Sequence, residues 1–460
     1  MSMAIEDPQN QQSKHTLKAQ NKNMRESRHN IVSAAALAAA LLLSPMKAGA
    51  QWEPVSLHHG VWGVFITPSG NILYSDYQYD GSGGIYTSTD EGETFTKTCS
   101  EDHTYNRFYQ FGELLYATGN GGKIARSDND GETWVVLDYG TPDGEKIADV
   151  EYSACYGMAE KDERLYAADF SAGILYSDDY GDTWHFTDRT SLAIACGGTG
   201  EKDEKGLLFT ENFYTPYTFK GNLYEFGANY ICRYDEQADK WSRVMEGSNF
   251  MVALAERNDT LFCGRTVDDY DAAKPFLQYT TDGEHWQPTG RPENELCNYV
   301  RCLETHGKHL FAGHIRDGVY VSDDGGNTYV NISEGLPMLT EVKGYYLSPL
   351  ELKATDDYLY ASLFDTAYDN TEGGLYRFPL DKLANRIAEV RGSLGKVRVD
   401  GGALLLDNAA DRIELFDASG ALRLTATHAD RLEMGTLPAG TYIYKVSKGR
   451  DKMTGKVTLP

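Results

Sequence analysis

The sequence has few positive charges for its length and no apolar run long enough to cross a lipid bilayer. It carries 43 lysine and arginine residues against 68 aspartate and glutamate residues, a net charge of −25. A surface of that sign repels nucleic acid and anionic lipid, so neither is an expected partner. The longest apolar run, residues 31–43, is shorter than the roughly 20 residues of a membrane-spanning helix, so no transmembrane segment is expected.

Metal-binding motifs are also missing. The seven cysteines include no CxxC pair, and no acidic loop has the EF-hand pattern, so we expect neither a metal nor a cofactor. Cys155, Cys196 and Cys263 lie in apolar, strand-like runs, which indicates that most cysteines are buried as small hydrophobic side chains. A disulfide between Cys297 and Cys302 is weakly indicated by their closeness in sequence.

Residues 24–50 have the organisation of a secretory signal peptide. Basic residues come first, the apolar run follows, and Ala48–Ala50 offers small residues for cleavage. We therefore assign residues 1–50 to an N-terminal extension and signal peptide, with translation starting at Met24 as a hypothesis. The secreted chain would then begin at Gln51.

One short strand recurs seven times after the signal peptide. Its core is a leucine, an aromatic residue and most often a small residue, and successive copies lie roughly 48 residues apart. That period is the length of a four-stranded blade, so residues 51–385 are predicted to form a seven-bladed β-propeller in an all-β chain. The 31 tyrosines and 46 glycines suit such a fold, with many strands and tight turns. The copies begin at Leu73, Leu115, Leu165, Leu223, Leu261, Leu310 and Leu359.

A second motif, Ser-x-Asp-x-Gly-x-Thr followed by an aromatic residue, comes after most of these strands. Its Asp or Asn oxygen can accept backbone N–H groups within a turn, and its glycine permits a positive φ. We expect each copy to close the hairpin between the third and fourth strands of a blade. Two further copies, ending at Trp241 and Trp286, are degenerate. The clear copies contain Ser88, Asp90, Gly92 and Thr94; Ser127, Asn129, Gly131 and Trp134; Ser177, Asp179, Gly181 and Trp184; and Ser322, Asp324, Gly326 and Thr328.

The seventh repeat lacks this motif and stops after a third strand, Gly373–Phe378. Its blade would keep an open edge unless another segment supplied the fourth strand. Residues 52–56 are similar to the strand that contains Trp286 in the degenerate copy. We therefore predict that residues 52–56 complete the last blade and close the ring.

Residues 386–460 are a different unit, in which short strands alternate apolar and polar residues. Strands around Ile413–Asp417, Thr441–Val446 and Gly455–Leu459, separated by turns, indicate a small antiparallel β-sandwich.

The stretches IELFDASGALR from Ile413, LPAGTYIYKV from Leu437 and the terminal GKVTL resemble the type A sorting domain of Bacteroidetes type IX secretion cargo. The resemblance covers roughly residues 390–460. It implies that the type IX machinery recognises this unit and usually removes it. The protein would pass through the periplasm and be secreted or attached to the outer cell surface.

The Ser-x-Asp-x-Gly-x-Thr copies are similar to the Asp boxes, or BNR repeats, of sialidase-like and sortilin-like propellers, xyloglucan hydrolases and photosystem-assembly propellers. This resemblance covers roughly residues 52–380 and implies the fold, since these families differ in activity. Sialidases have six blades, an Arg-Ile-Pro element and an arginine triad. Here seven blades are predicted, and Arg-Ile-Pro does not occur. Arg107, Arg265, Arg301 and Arg316 could supply a triad, although nothing in the sequence places them together.

Candidate binding residues lie on the innermost strands and on the loops between second and third strands, on the face opposite the Asp boxes. Propeller ligands usually lie there, over the channel mouth. Aromatic faces and carboxylates suit sugars, through stacking and hydrogen bonds. The candidates are Asp76, Tyr77, Tyr79, Arg107, Asp169, Asp268, Asp269, Tyr270, Arg301, His314, Arg316, Asp317, Asp365 and Tyr368. Trp62, Tyr109, Tyr152 and Glu304 are expected near the channel as well.

The sequence thus predicts a secreted or surface-attached propeller that binds an extracellular glycan through this loop face. The first alternative is a glycoside hydrolase, sialidase-like or xyloglucan-hydrolase-like, that uses carboxylates of the Asp-rich loops. The second is a propeller that binds a protein. The fold alone does not decide among them, nor whether the chain is an enzyme.

Overall fold

The structure is a computed structural model, and several ranges of the chain are described in it. The signal peptide, Gln51 and the candidate start at Met24 lie outside these ranges. The described residues are 52–57, 60–76, 83–99, 103–139, 142–144, 154–201, 213–227, 230–246, 250–265, 275–292, 299–339, 344–364, 373–383, 397–400, 402–449 and 451–459.

Within these ranges the chain forms seven sheets, each of four antiparallel strands. The innermost strands are β2 (Val61–Ile66), β6 (Tyr105–Phe111), β10 (Cys155–Lys161), β14 (Thr215–Phe219), β18 (Phe250–Arg257), β22 (Val300–His306) and β26 (Ser348–Ala354). The second strands are β3 (Ile72–Asp76), β7 (Leu114–Gly119), β11 (Arg164–Asp169), β15 (Asn222–Phe226), β19 (Thr260–Arg265), β23 (His309–His314) and β27 (Tyr358–Phe364). The third strands are β4 (Gly84–Ser88), β8 (Lys123–Ser127), β12 (Gly173–Ser177), β16 (Tyr230–Asp235), β20 (Leu277–Thr280), β24 (Gly318–Ser322) and β28 (Gly373–Pro379). The outer strands are β5 (Thr96–Lys97), β9 (Val135–Asp138), β13 (His185–Phe186), β17 (Lys240–Glu246), β21 (Gln287–Pro288), β25 (Val330–Asn331) and β1 (Glu53–Ser56).

The second strands carry the strongest signal in the sequence because they are buried along almost their whole length. Each has a strand on either side within its own sheet and contacts the innermost strand of the next blade. Both faces therefore need apolar side chains that fit closely, as in other protein interiors. The repeated leucine followed by an aromatic residue meets this need.

The ring is closed by β1, the strand nearest to the N-terminus among the described residues. Strand β1 pairs antiparallel with β28, with Glu53 opposite Arg377 and Pro54 opposite Tyr376, and the sheet has the order β1-β28-β27-β26. Strand β2, in the next blade, packs against β26 and β27. The predicted completion of the last blade by the N-terminal strand is therefore confirmed. The closed ring of four-stranded sheets defines a β-propeller.

The Ser-x-Asp-x-Gly-x-Thr turns share one hydrogen-bond pattern. In the first, the Ser88 hydroxyl donates to Asp90 Oδ1 at 2.7 Å and accepts from the Gly92 N–H at 2.9 Å. The N–H and hydroxyl of Thr94 donate to Asp90 at 2.9 and 2.6 Å. Gly92 has a φ of 90°, the conformation that favours glycine. These bonds hold the turn between the third and fourth strands of the blade, where the sequence predicted it.

A short helix, α1 (Arg189–Ala195), precedes the blade that begins with β14. Asp188 caps its first turn, because the carboxylate accepts from the N–H groups of Thr190 and Ser191. The Ser191 hydroxyl accepts from the N–H of Trp241 at 2.9 Å, which fixes the helix against the outer strand β17. Among the described residues, no helix is long and apolar enough to cross a membrane.

The C-terminal strands form one antiparallel sheet. The long strand β30 pairs with β31 on one edge, and on its other edge first with β29 and then with β32; its pairing with β31 shifts register between the two halves. The strands are β29 (Val397–Asp400), β30 (Ala403–Asp417), β31 (Leu422–Glu433), β32 (Gly440–Lys448) and β33 (Asp451–Leu459).

This sheet packs on the propeller. An antiparallel bridge joins Thr454 in β33 to Tyr329, next to the outer strand β25. Val330 and Ile332 belong to the same hydrophobic cluster as Ile413 and Val446 of the C-terminal sheet. The two units therefore share one core.

Candidate binding site in the central channel

A cavity of about 480 Å³ lies on the axis of the ring, and residues of all seven innermost strands line it. Its volume is within the range of small-molecule sites in proteins. Five aromatic residues contribute to the lining: Phe65, Phe108, Tyr109, Phe111 and Tyr217. Polar and charged groups alternate with them: Arg107, Gln110, Glu160, Thr218, Glu351 and Lys353.

Strand register places four polar side chains of the channel in one layer. In each innermost strand, one residue lies directly opposite the aromatic residue of the repeated Leu-aromatic pair. Because the seven blades repeat the same register around the ring, these positions meet the axis at the same depth. In four blades they hold Tyr109, Tyr217, Glu304 and Lys353.

An ion pair crosses between the last two blades in this layer. The ammonium of Lys353 lies 3.7 Å from Glu304 Oε2, and the two side chains are 31% and 19% exposed. Burial raises the pKa of Glu304, although Lys353 opposes this shift. For Lys353, burial is outweighed by Glu304 and Glu351, so its pKa is raised. The ammonium therefore stays charged in the channel at neutral pH.

A second carboxyl group, that of Glu351, lies beside this pair. Its Oε2 accepts a hydrogen bond from the N–H of Val64 at 2.8 Å, which links the last blade to the next blade of the ring. Burial raises the pKa of Glu351, while Lys353 and Arg107 favour its ionised form. Burial also raises the pKa of Tyr109, against the effect of Arg107. The lining thus combines hydrogen-bond donors, acceptors and aromatic rings.

Cys302 also lines the cavity. It carries a free thiol, and Cys297, the disulfide partner that their spacing weakly indicated, lies outside the described residues. Burial raises the pKa of this thiol to about 12, which leaves it protonated and a poor nucleophile at neutral pH. The described cysteines are all buried, as the sequence predicted.

Three predicted loop residues that the structure describes, Asp76, Asp169 and His314, are buried at the ends of second strands. Asp169 Oδ1 accepts from the N–H groups of Ser171 and Ala172 at 3.0 and 2.8 Å. Its Oδ2 accepts from a tyrosine hydroxyl at 3.0 Å. The Nδ1 atom of His314 accepts from two N–H groups of the loop that follows it. Asp169 and His314 therefore stabilise the loops.

The predicted arginines occupy separate places. Arg107 lines the cavity, whereas Arg265 is buried at the end of β19. The guanidinium carbon of Arg301 lies 5.8 Å from the ring centre of Tyr299, and that of Arg316 lies 5.5 Å from the ring centre of Tyr345.

Other predicted residues fall near the channel, in a turn, or outside the described residues. Trp62 packs edge-on against Phe364 with ring centres 5.4 Å apart, and Asp317 accepts a hydrogen bond from the Tyr320 hydroxyl. Seven candidates for the loop face and one for the channel lie outside the described residues: Tyr77, Tyr79, Asp268, Asp269, Tyr270, Asp365, Tyr368 and Tyr152.

Sequence reasoning missed Glu351 and Lys353, which have a weak local signal. They alternate with leucines in the stretch SPLELKA, seven residues long, before the turn that leads to Leu359. Arg107 and Tyr109 precede Leu115 by the same numbers of residues as Glu351 and Lys353 precede Leu359. Aligning the residues that precede each repeated leucine would therefore have identified this layer. Among the described residues, no group of three or more His, Cys, Asp and Glu side chains is placed to hold a metal ion.

No protein-family model matches the chain, and no curated protein matches it. Solved structures with a similar fold include YCF48 from Cyanidioschyzon merolae, 13% identical over 72% of this chain and 99% of that chain, with a TM-score of 0.48. Virginiamycin B lyase from Staphylococcus aureus is 12% identical over 71% of this chain and 98% of that chain, with a TM-score of 0.47. The extracellular domain of a putative one-component system from B. thetaiotaomicron is 11% identical over 89% of this chain and 59% of that chain, with a TM-score of 0.49. These proteins are β-propellers, and at such identities the likeness is one of fold.

Proposed function

We propose that this chain is an exported β-propeller of the Asp-box class that binds an extracellular glycan in its central channel. The observation that carries the proposal is the cavity of about 480 Å³, in which aromatic rings alternate with charged and amide side chains. A sugar presents C–H groups on its ring faces and hydroxyls around its edge. A site that combines aromatic faces with bidentate acceptors and donors matches both surfaces.

Each chemical requirement has a residue in the lining. Phe65, Tyr109 and Tyr217 provide apolar faces for stacking. Glu351 provides acceptor oxygens for neighbouring hydroxyls, and Lys353 provides donors. These groups project from rigid strands and not from loop tips, so little conformational entropy is lost when a ligand binds.

We place the site in the channel and not on the loop tips that the sequence favoured. Of the predicted loop residues that the structure describes, Asp169 and His314 are buried and bonded within their own loops. Arg107 and Tyr109, also taken from the sequence, are in the lining.

The test of binding is a glycan array followed by calorimetry on the chain from residue 51 to 460. Tyr217→Ala is expected to weaken binding of the selected glycan about tenfold or more, because it removes a stacking face. Tyr217→Phe should retain most of the affinity. Tyr180→Ala is the matched control, since this tyrosine is exposed on a turn outside the cavity lining. Failure to bind any glycan, or equal binding by Tyr217→Ala, would refute the proposal.

Export is the second part of the proposal. It is supported by the signal-like residues 24–50 and by the resemblance of residues 390–460 to the type IX sorting domain. We expect the protein in the culture medium or on the cell surface, with Gln51 or its cyclised form as the first residue. Recovery from the cytoplasm with residues 24–50 still attached would contradict this.

Glycoside hydrolysis is a second candidate, favoured by the two carboxyl groups Glu304 and Glu351. Burial raises the pKa of both, and a raised carboxyl pKa is the property that a general acid of a glycosidase requires. The test is turnover of a panel of fluorogenic glycosides. Turnover that disappears in both Glu304→Gln and Glu351→Gln would establish the enzyme in place of the binding protein.

A further inference from the structure

Apart from the exposed Glu160, the charged side chains within the channel are matched in number. Lys353 lies 3.7 Å from Glu304, and Glu351 lies close enough to Lys353 and Arg107 for both cations to favour its ionised form. Two cations and two carboxylates therefore form one group contributed by three blades. When all four are ionised, the group has no net charge.

This balance matters because the group is largely removed from bulk water. The side chains of Lys353 and Glu304 keep under a third of their surface exposed. A charged ligand that entered would lose much of its own hydration and would meet cations whose charge the carboxylates already neutralise. Burial of a charge without a matching partner is strongly unfavourable. A neutral ligand avoids this penalty and can still exchange hydrogen bonds with Arg107, Glu351 and Lys353, which line the cavity.

Carboxylates at one end of the channel further disfavour ligands that carry a negative charge. Glu160 and Glu256 lie at the same register position, opposite the repeated leucines Leu165 and Leu261, and both are exposed. They lie where the first hairpin of each blade turns, so a ligand that enters from this end passes these two carboxylates, although Lys220 offsets part of the charge of Glu256. Arg301, the next cation on β22, lies outside the cavity lining and against Tyr299.

We infer that the channel selects neutral sugars and disfavours acidic ones, because its partly buried charged group has no net charge and its hairpin end carries two exposed carboxylates. The inference rests on the proposed glycan-binding function and names the class of sugar. It assigns Glu304 and Lys353 the role of specificity determinants, since their pairing removes the charge that would attract an ionic ligand.

The experiment compares three forms of the oligosaccharide selected on the array: neutral, with one hexose oxidised to its uronic acid, and with one hexose replaced by its amino sugar. For the unaltered chain at physiological salt, the neutral form should bind about tenfold more tightly than the uronic acid form. Glu304→Gln leaves Lys353 without its partner and should reverse this order. Lys353→Gln leaves the carboxylates in excess and should favour the amino sugar. The double variant should restore the preference for the neutral form.

The outcomes separate the two proposals. Equal or tighter binding of the uronic acid form by the unaltered chain overturns the inference but leaves glycan binding intact. An unchanged order in Glu304→Gln, with melting curves showing a folded protein, overturns it as well. If Glu304→Gln does not fold, Glu351→Gln takes its place, because glutamine can still accept the Val64 hydrogen bond. Failure of all three sugars to bind overturns the proposed function and the inference together.

Discussion

The indole nitrogen of Trp52 donates a hydrogen bond to the carbonyl oxygen of Ile332 at 2.8 Å, across 280 positions of the chain. Trp52 is 2% exposed, and its ring lies 5.4 Å from that of Phe378 in the strand that β1 completes. The N-terminal strand is therefore held twice, by its pairing with β28 and by the side chain that precedes it.

Replacing Trp52 with alanine should destabilise the propeller by about 3–5 kcal/mol, because it removes a large buried ring and leaves a cavity. Trp52→Phe should cost less, since it keeps much of the packing and loses the hydrogen bond. Urea unfolding followed by circular dichroism measures both. A midpoint for Trp52→Ala within error of the unaltered protein would show that the N-terminal strand does not close the ring.

Asp179 holds the third Ser-x-Asp-x-Gly-x-Thr turn. Its carboxylate accepts from the Ser177 hydroxyl at 2.8 Å and from the N–H and hydroxyl of Thr183 at 2.8 and 2.6 Å. Asp179→Ala should lower the free energy of unfolding by roughly 1–3 kcal/mol, as donors in the turn lose their acceptor. Asp179→Asn is the matched control, because Asn129 occupies this position in the second copy with similar bonds. If both variants lost stability equally, the hydrogen bonds would not be the cause.

The buried carboxyl group of Glu225 predicts a decline in stability with rising pH. The side chain is 1% exposed, and burial raises its pKa to about 8 although the N–H of Tyr214 donates to it. Between the ordinary glutamate pKa of 4.5 and this value, the folded state keeps a proton that the unfolded state has lost. The free energy of unfolding should therefore fall as pH rises through this window, by up to about 1.4 kcal/mol per pH unit.

Glu225→Gln tests this dependence, because it keeps a neutral side chain of the same shape. Urea midpoints from pH 5 to 9 should fall for the unaltered protein and fall less steeply for the variant. Parallel curves would mean that Glu225 does not hold its proton in the folded state.

The shared core predicts that the C-terminal sheet stabilises the propeller. A chain ending at residue 396 would expose Val330 and Ile332, which now belong to a cluster with Ile413 and Val446. We expect a lower melting temperature and stronger binding of a hydrophobic dye, because apolar surface becomes accessible to water. The control is Leu422→Ser at an exposed site of the same sheet, which should change neither. An equal melting temperature for the truncated chain would mean that the two units fold independently.

The sequence predicted the blades well because the burial of their second strands is a local property. A strand enclosed on both faces accepts few residue types, so Leu73 and its six equivalents stand out at a regular spacing. The turns were predictable for a similar reason, since the bonds of Ser88, Asp90 and Thr94 join residues within one short segment.

The candidate site was predicted only in part. Polar residues after a strand, such as Asp169 and His314, suit ligand binding and loop closure equally, and the structure uses both for loop closure. Glu351 and Lys353 were missed because a charge in an innermost strand has no local mark. The role of such a charged side chain depends on residues of other blades, which for Lys353 include Arg107 and Glu304.

The sequence by itself determined the strands, the turns and the period of the ring, since these follow from the alternation of apolar residues and from hydrogen bonds within short segments. The similarity of residues 52–56 to the strand that contains Trp286 also indicated which strand closes the last blade, whereas only the tertiary structure decided which side chains meet on the axis. Lys353 and Glu304 come together where the last two blades pack against each other, and Trp52 and Ile332 come together through the closure of the ring. A contact between two residues far apart in the chain gives no recognisable sequence pattern around either residue.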